Sequence, residues 1–221
     1  MTSVDVWSLR LGPDARAERD AWSVLTPDEQ RTADRYRDPA DRAARIRTRA
    51  LLRTVLGRAL DRDPRVVEII ATADGKPVLA DPAVPRFSVS HSRALAVVAV
   101  VATGATELGI DIEPRRDFAW AEVAERFFAP AERAAIDGLA AGERLDAFLA
   151  IWVRKEAYLK GLGLGFTDVS DDFEVPLGDG FVHDPARPST RWYLHGLDLD
   201  IDHAAALAVA DAPATVVVHE V

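Results

Sequence analysis

Gly109-Ile110-Asp111-Ile112-Glu113 opens the second half of a 221-residue chain with a short alternation of apolar and acidic residues. Such alternation reads as a β-strand, on which side chains repeat every two residues. Val4-Asp5-Val6-Trp7 opens the first half in the same way. Each opening is followed by a helical region, an extended segment with a turn, and a further extended pair. The order of elements thus repeats at about half the chain length.

In the first half, Ile46, Leu51, Leu52, Val55, Leu56 and Leu60 form a helical apolar stripe, which places the main helix over 41–60. Asp63-Pro64 ends it. Residues 66–72 read as a strand, Asp74-Gly75 as a turn, Pro77-Val78-Leu79 as the return, and 86–90 with 95–102 as a strand pair. In the second half the pattern predicts a helix over 144–162 closed by Gly161, a strand over 169–175, a turn at Gly178-Asp179-Gly180, and a last pair at 191–194 and 205–210. The expected fold class is α+β: two pseudo-symmetric halves, residues 1–105 and 106–221, each a small, mostly antiparallel sheet packed by a long helix. A site between two such halves is the natural cleft.

Composition narrows the chemistry. There is no cysteine, which excludes disulfides, cysteine metal sites and cysteine nucleophiles. The net charge of −9 disfavours nucleic acid as a partner. No apolar run approaches the ~20 residues of a membrane span, and residues 1–10 show no signal-peptide pattern, so a cytoplasmic protein is expected. Arginines 31, 35, 37, 42, 45, 47, 49 and 53 crowd one stretch. They make either a solvated helix face or a seat for phosphates or an acidic partner. Of 27 basic residues only Lys76, Lys155 and Lys160 are lysines. A lysine kept in an arginine-rich chain fits a point charge on a phosphate.

Three segments carry chemistry. Asp111 and Glu113 share one strand face, and neighbouring carboxylates need solvent or a cation; hard oxygen ligands at this spacing suit Mg²⁺ with substrate phosphates. An exposed strand face is the plain alternative. Trp152, Glu156 and Lys160 recur at four-residue spacing on one helix face. Glu156 and Lys160 there make either a surface ion pair or, beside a metal, a third oxygen ligand or base and a cation. Gly75-Lys76-Pro77 presents a lysine on a turn, and Phe87-Ser88-Val89-Ser90-His91-Ser92 ends a strand with hydroxyls and an imidazole. Ser90 and His91 point to opposite strand faces and no G-x-S-x-G elbow is present, which disfavours a Ser-His hydrolase.

In order, Gly75-Lys76-Pro77, Phe87 to Ser92, Gly109 to Glu113, Arg126-Phe127-Phe128 with Glu132, and Trp152-Val153-Arg154-Lys155-Glu156-Ala157 with Lys160 resemble the Sfp-type 4′-phosphopantetheinyl transferases. The resemblance covers about residues 40–175. It implies a transferase that moves the phosphopantetheine arm of coenzyme A to a serine of an acyl, peptidyl or aryl carrier protein. It implies Mg²⁺ held by Asp111, Glu113 and Glu156, with Glu156 also as base and Lys160 on the leaving phosphate. Lys76, Ser90, His91 and Lys155 become contacts to coenzyme A, and Arg45 or Arg49 meets its 3′-phosphate. Glu132 is a further acidic position of the motif. Arg93 departs from the pattern, which commonly has glycine there; it puts the geometry of that turn in question and offers one more contact to a phosphate. Two halves in one chain point to a monomer, and from charge and hydropathy neither nucleic acid nor a membrane is expected as a partner. A metal-dependent phosphohydrolase and a non-catalytic binding module are the rival classes. Release of adenosine 3′,5′-bisphosphate without carrier, or no mass gain on a carrier, would favour the first or the second.

Overall fold

Val4, Val6 and Ser8 are buried while their neighbours are half-exposed, and this alternation makes β1 of Ser3–Arg10. The computed structural model describes residues 2–72, 75–81, 85–103, 106–165 and 171–221. After β1 come α1 (Ala15–Val24), α2 (Pro27–Ala33) and the long α3 (Pro39–Leu60). A 3-10 turn at Pro64–Val66 leads to the hairpin β2 (Ile69–Ala71) and β3 (Pro77–Leu79), then to β4 (Phe87–His91) and β5 (Leu95–Thr103). The second half runs β6 (Leu108–Pro114), α4 (Trp120–Phe127), α5 (Pro130–Asp137) and the long α6 (Arg144–Leu162). It ends with β7 (Gly180–Phe181), β8 (Trp192–Gly196) and β9 (His203–Ala210), and β10 (Thr215–Glu220) closes the chain. The protein is α+β, with small, mostly antiparallel sheets.

The two compact units repeat a core topology. In the first, β1 pairs with β5 and β5 with β4, all antiparallel. In the second, β6 pairs with β9 and β9 with β8 in the same sense. One boundary differs from the reading of residues 106–221 as the second half. β10 pairs in parallel with β1, Ser3 opposite Thr215, so residues 215–221 belong to the first unit and the second ends at Ala214. The open edge of β1 accepts this strand, whose Val216-Val217-Val218 run suits a pleated partner.

Each unit packs its long helix on its sheet. Leu51, Leu52, Val55 and Leu56 of α3 meet Ala96, Val98 and Val100 of β5. Asp38 caps α3, its Oδ1 accepting the Ala40 and Asp41 amides, and Pro39 follows at the first helical position. In the second unit Phe148, Ile151, Ala157 and Leu159 of α6 meet Leu194 and the small Ala204, Ala206 and Ala208. α6 ends at Gly163, which takes the left-handed backbone (φ 76°). Gly161 was expected in that role but lies within the helix, where a Cβ would overlap the Trp192 ring. Of the strand expected over 169–175, residues 169 and 170 lie outside the described ones, as does Asp74 of the first turn. Glu174 makes a single bridge to His183. Among the described residues no helix is long and apolar enough to cross a membrane.

Candidate active site

The second unit brings β6 against α6 at glycine. A Cβ at Gly109 would overlap the Ala157 carbonyl oxygen and the Gly161 amide nitrogen, so strand and helix meet backbone to backbone. Period-two alternation then turns Asp111 and Glu113 toward the same helix. Across the sheet they face only methyl groups, since Asp111 is opposite Ala206 and Glu113 opposite Ala204.

On α6, Trp152, Glu156 and Lys160 form the half-buried stripe of an otherwise buried stretch, as their four-residue spacing demands. Lys160 Nζ donates to Asp111 Oδ1 at 2.6 Å, and Asp111 is 4% exposed. The Trp152 side chain hydrogen-bonds the Glu113 carboxylate, and indole is a donor only. Stacking on Phe148 at 5.9 Å and edge contact with Phe127 at 6.2 Å hold the Trp152 ring. The Arg126-Phe127-Phe128 segment therefore braces the site from behind; Phe128 stacks on Phe148 at 5.0 Å. Trp152 was legible as part of the stripe, but its role on Glu113 needed the fold.

The carboxylates feel one another. Burial pushes the Glu156 carboxyl up to about 7, with the Asp111 charge next in size and Glu113 adding, while Lys160 opposes. Burial and then Asp111 push Glu113 up as well, against the Trp152 bond and Lys160. Asp111, Glu113, Glu156 and Lys160 are thus one electrostatic cluster. Among the described residues, no three acidic or histidine side chains stand close enough to hold a metal ion as the side chains lie here.

Lys155 is a correction. It has no exposed surface, and its ammonium pairs with Glu132 Oε2 at 2.9 Å and donates to the Phe173 carbonyl at 2.7 Å. Glu132 in turn accepts the Ala129 and Val175 amides, both at 2.8 Å. Five residues along a helix is about 140° around its axis, so Lys155 and Lys160 cannot share a face. A side chain with no exposed surface offers nothing to a phosphate. The Lys155–Glu132 pair instead ties α6 to α5 and to the segment through Val175.

In the first unit, Lys76 follows Gly75, whose φ of 82° makes the turn. Thr72 and Lys76 exchange hydrogen bonds of 2.9 Å and 3.1 Å across it. On β4, Ser90 is buried and His91 exposed, as alternation requires. The next turn is tight: Ser92 Oγ accepts the Ala94 and Leu95 amides, both at 3.0 Å. Arg93 fits it without left-handed backbone; the only described non-glycine residues with positive φ are Asp61 and Asp211.

The arginine-rich stretch is largely neutralised from within. Arg42 pairs with Glu18 and Asp34, Arg31 with Asp28, and Arg47 donates to the Gly12 and Arg10 carbonyls. Arg49 and Arg53 both hold Glu29. Arg49 is thereby drawn into a helix–helix tie, and its side chain is 14% exposed. Arg45, one turn earlier on α3, is half-buried.

A conserved-family model described as "4′-phosphopantetheinyl transferase superfamily" matches residues 107–216, and one described as "4′-phosphopantetheinyl transferase, N-terminal" matches residues 12–103. The 4′-phosphopantetheinyl transferase HetI of Nostoc sp. is 33% identical over 94% of this chain and 87% of its own length. A phosphopantetheinyl transferase of Thraustochytrium sp. is 30% identical over 94% of this chain and 78% of its own. The 4′-phosphopantetheinyl transferase Sfp of Bacillus subtilis is 27% identical over 70% of this chain and 67% of its own. An α+β fold carrying a carboxylate–lysine cluster on a strand and a facing helix is the class of protein seen here. The chain belongs to the 4′-phosphopantetheinyl transferase superfamily and is an enzyme of that type.

Proposed function

We propose that this enzyme transfers the 4′-phosphopantetheine group of coenzyme A to a serine hydroxyl of an acyl, peptidyl or aryl carrier protein and releases adenosine 3′,5′-bisphosphate. The observation that carries the reading is the cluster itself: Lys160 Nζ donates to Asp111 Oδ1 at 2.6 Å, and Glu156 lies half-buried one helical turn before Lys160 on the same face. Burial pushes the Glu156 carboxyl up to about 7, which makes it a better acceptor for a hydroxyl proton. Glu156 takes the serine proton, and the new O–P bond forms as the bond to the bisphosphate breaks. In this reading Lys160, whose ammonium bonds Asp111, donates to the departing phosphate oxygen.

By donor chemistry the set suits Mg²⁺, since it offers three hard carboxylates on a strand and the facing helix, two of them raised in pKa partly by the others' charge; their side chains would have to turn toward one another to share the ion. Asp111, Glu113 and Glu156 would hold the ion, and bound there it would neutralise pyrophosphate charge. Lys76, Ser90 and His91 contact coenzyme A phosphates in this reading, and Arg45 rather than Arg49 meets the 3′-phosphate. Lys155 has no part in binding. The enzyme is taken to be a cytoplasmic monomer.

Incubation of an apo carrier protein with coenzyme A, Mg²⁺ and the enzyme tests the reading by mass spectrometry. The expected gain is ~340 Da on the carrier, the mass of the phosphopantetheinyl group. No gain across acyl, peptidyl and aryl carriers, or rapid bisphosphate release without any carrier, would overturn it.

A further inference from the structure

We infer that Arg93 is a positioning residue: it clamps the turn after Ser90 and His91 to the face of α3 that bears Arg45, and so fixes the spacing of the coenzyme A phosphate contacts. The inference rests on the proposed roles of those residues.

The hairpin turn is rigid within itself. Ser92 Oγ takes two amides, and the Ser92 amide donates to the Leu95 carbonyl at 2.8 Å. Those bonds say nothing of how the turn sits against the helix. Core packing of α3 on β5 sets their distance, and Arg93 at the tip of the turn adds a directional polar tie. Its Nε lies 2.8 Å from Asp41 Oδ1 and its Nη2 3.0 Å from Asp41 Oδ2, a two-pronged contact across 52 residues of sequence. Nη2 also lies 3.6 Å from Asp38 Oδ2. Both acceptors are anchored at the start of α3: Asp38 Oδ1 caps the helix, and Asp41 is in its first turn. A planar fork on a carboxylate fixes orientation as well as distance, which a lysine ammonium does not.

Asp41 and Arg45 are four residues apart and lie on one face of α3. The element that holds Asp41 is therefore the element that aims Arg45. His91 is two residues from Arg93 on the clamped turn. With its guanidinium engaged by Asp41, Arg93 acts through Arg45 and His91 rather than as one more phosphate ligand. The contact is exposed, with Arg93 at 67% and Asp41 at 36% side-chain exposure, so its effect is modest.

The test is steady-state kinetics of carrier modification by Arg93→Ala, Asp41→Asn, the double variant and Arg93→Lys, with His91→Ala and Arg45→Ala alongside. The expected result is a rise of about two- to five-fold in KM for coenzyme A in Arg93→Ala and in Asp41→Asn. In those two variants kcat at saturating coenzyme A and KM for the carrier stay unchanged. The double variant is no worse than the worse single one, because one contact is lost once. Arg93→Lys recovers only part. If Arg93→Ala has its full effect in the Asp41→Asn background, Arg93 touches the ligand directly and the inference is overturned. It is also overturned if only KM for the carrier moves. If His91→Ala and Arg45→Ala raise KM for coenzyme A while Arg93→Ala does not, the inference falls and the phosphate contacts stand. If none of the three moves it, both fall.

Discussion

Replacing Glu156 by glutamine removes one charge from the cluster and keeps the shape of the side chain. The ordinary glutamate value is 4.5, and burial with Asp111 lifts Glu156 to about 7 in the folded protein. Below pH 4.5 the carboxyl is neutral in both states and contributes nothing to stability. Between 4.5 and 7 the folded protein keeps a proton that the unfolded chain has released, so its stability falls as pH rises, and above 7 the loss is complete. At 1.36 kcal/mol per unit the ceiling is about 3 kcal/mol. Partial solvation of the side chain brings the expected figure to about 1–2 kcal/mol. Glutamine never ionises, so the variant should be more stable than the parent by that amount at pH 8 in EDTA. The advantage should shrink toward zero near pH 5. Urea unfolding across this pH range measures it, and transfer by the same variant should drop at least ~100-fold. A pH-independent difference, or a loss of stability at pH 8, would refute the electrostatic reasoning. Near-normal transfer with the stability pattern intact would refute the catalytic role alone.

Two further outcomes are expected. Gly109→Ala should cost at least about 2 kcal/mol in urea unfolding, because its Cβ has backbone on the facing helix and no flexible side chain to displace; a neutral result would mean that β6 and α6 do not touch there. Glu132→Gln should cost about 3–5 kcal/mol by leaving the fully buried Lys155 ammonium beside a neutral partner, whereas Glu132→Leu with Lys155→Met should cost far less. Equal losses in the two would show that packing, not charge, holds that position.

The long helices and the strand carrying Asp111 were legible because periodicity is written into consecutive residues. α6 occupies Arg144–Leu162, the span its apolar pattern predicts. The stripe of Trp152, Glu156 and Lys160 followed from spacing alone. What was not legible depends on partners distant in sequence. The arginines of α3 looked like a cationic surface because Glu18, Glu29 and the Gly12 carbonyl, which engage them, lie one or two elements away. Two glycines near the end of α6 are equivalent on paper; Trp192, some thirty residues on, reserves Gly161 for close packing and leaves Gly163 to end the helix. Lys155 sat in a motif full of chemistry, and only helix geometry sets it on the far side from Lys160.

The parallel pairing of Ser3 with Thr215 has a consequence for biosynthesis. On a ribosome adding about 5–20 residues per second, the outermost ribbon of the first unit emerges roughly 5–20 seconds after the rest of that unit has left the tunnel. During that interval the flank of β1 is an uncovered template, the kind of edge to which stray strands add. The nascent N-terminal portion is therefore the stage at which this protein is most exposed to aggregation, and the arrival of β10 is what seals it.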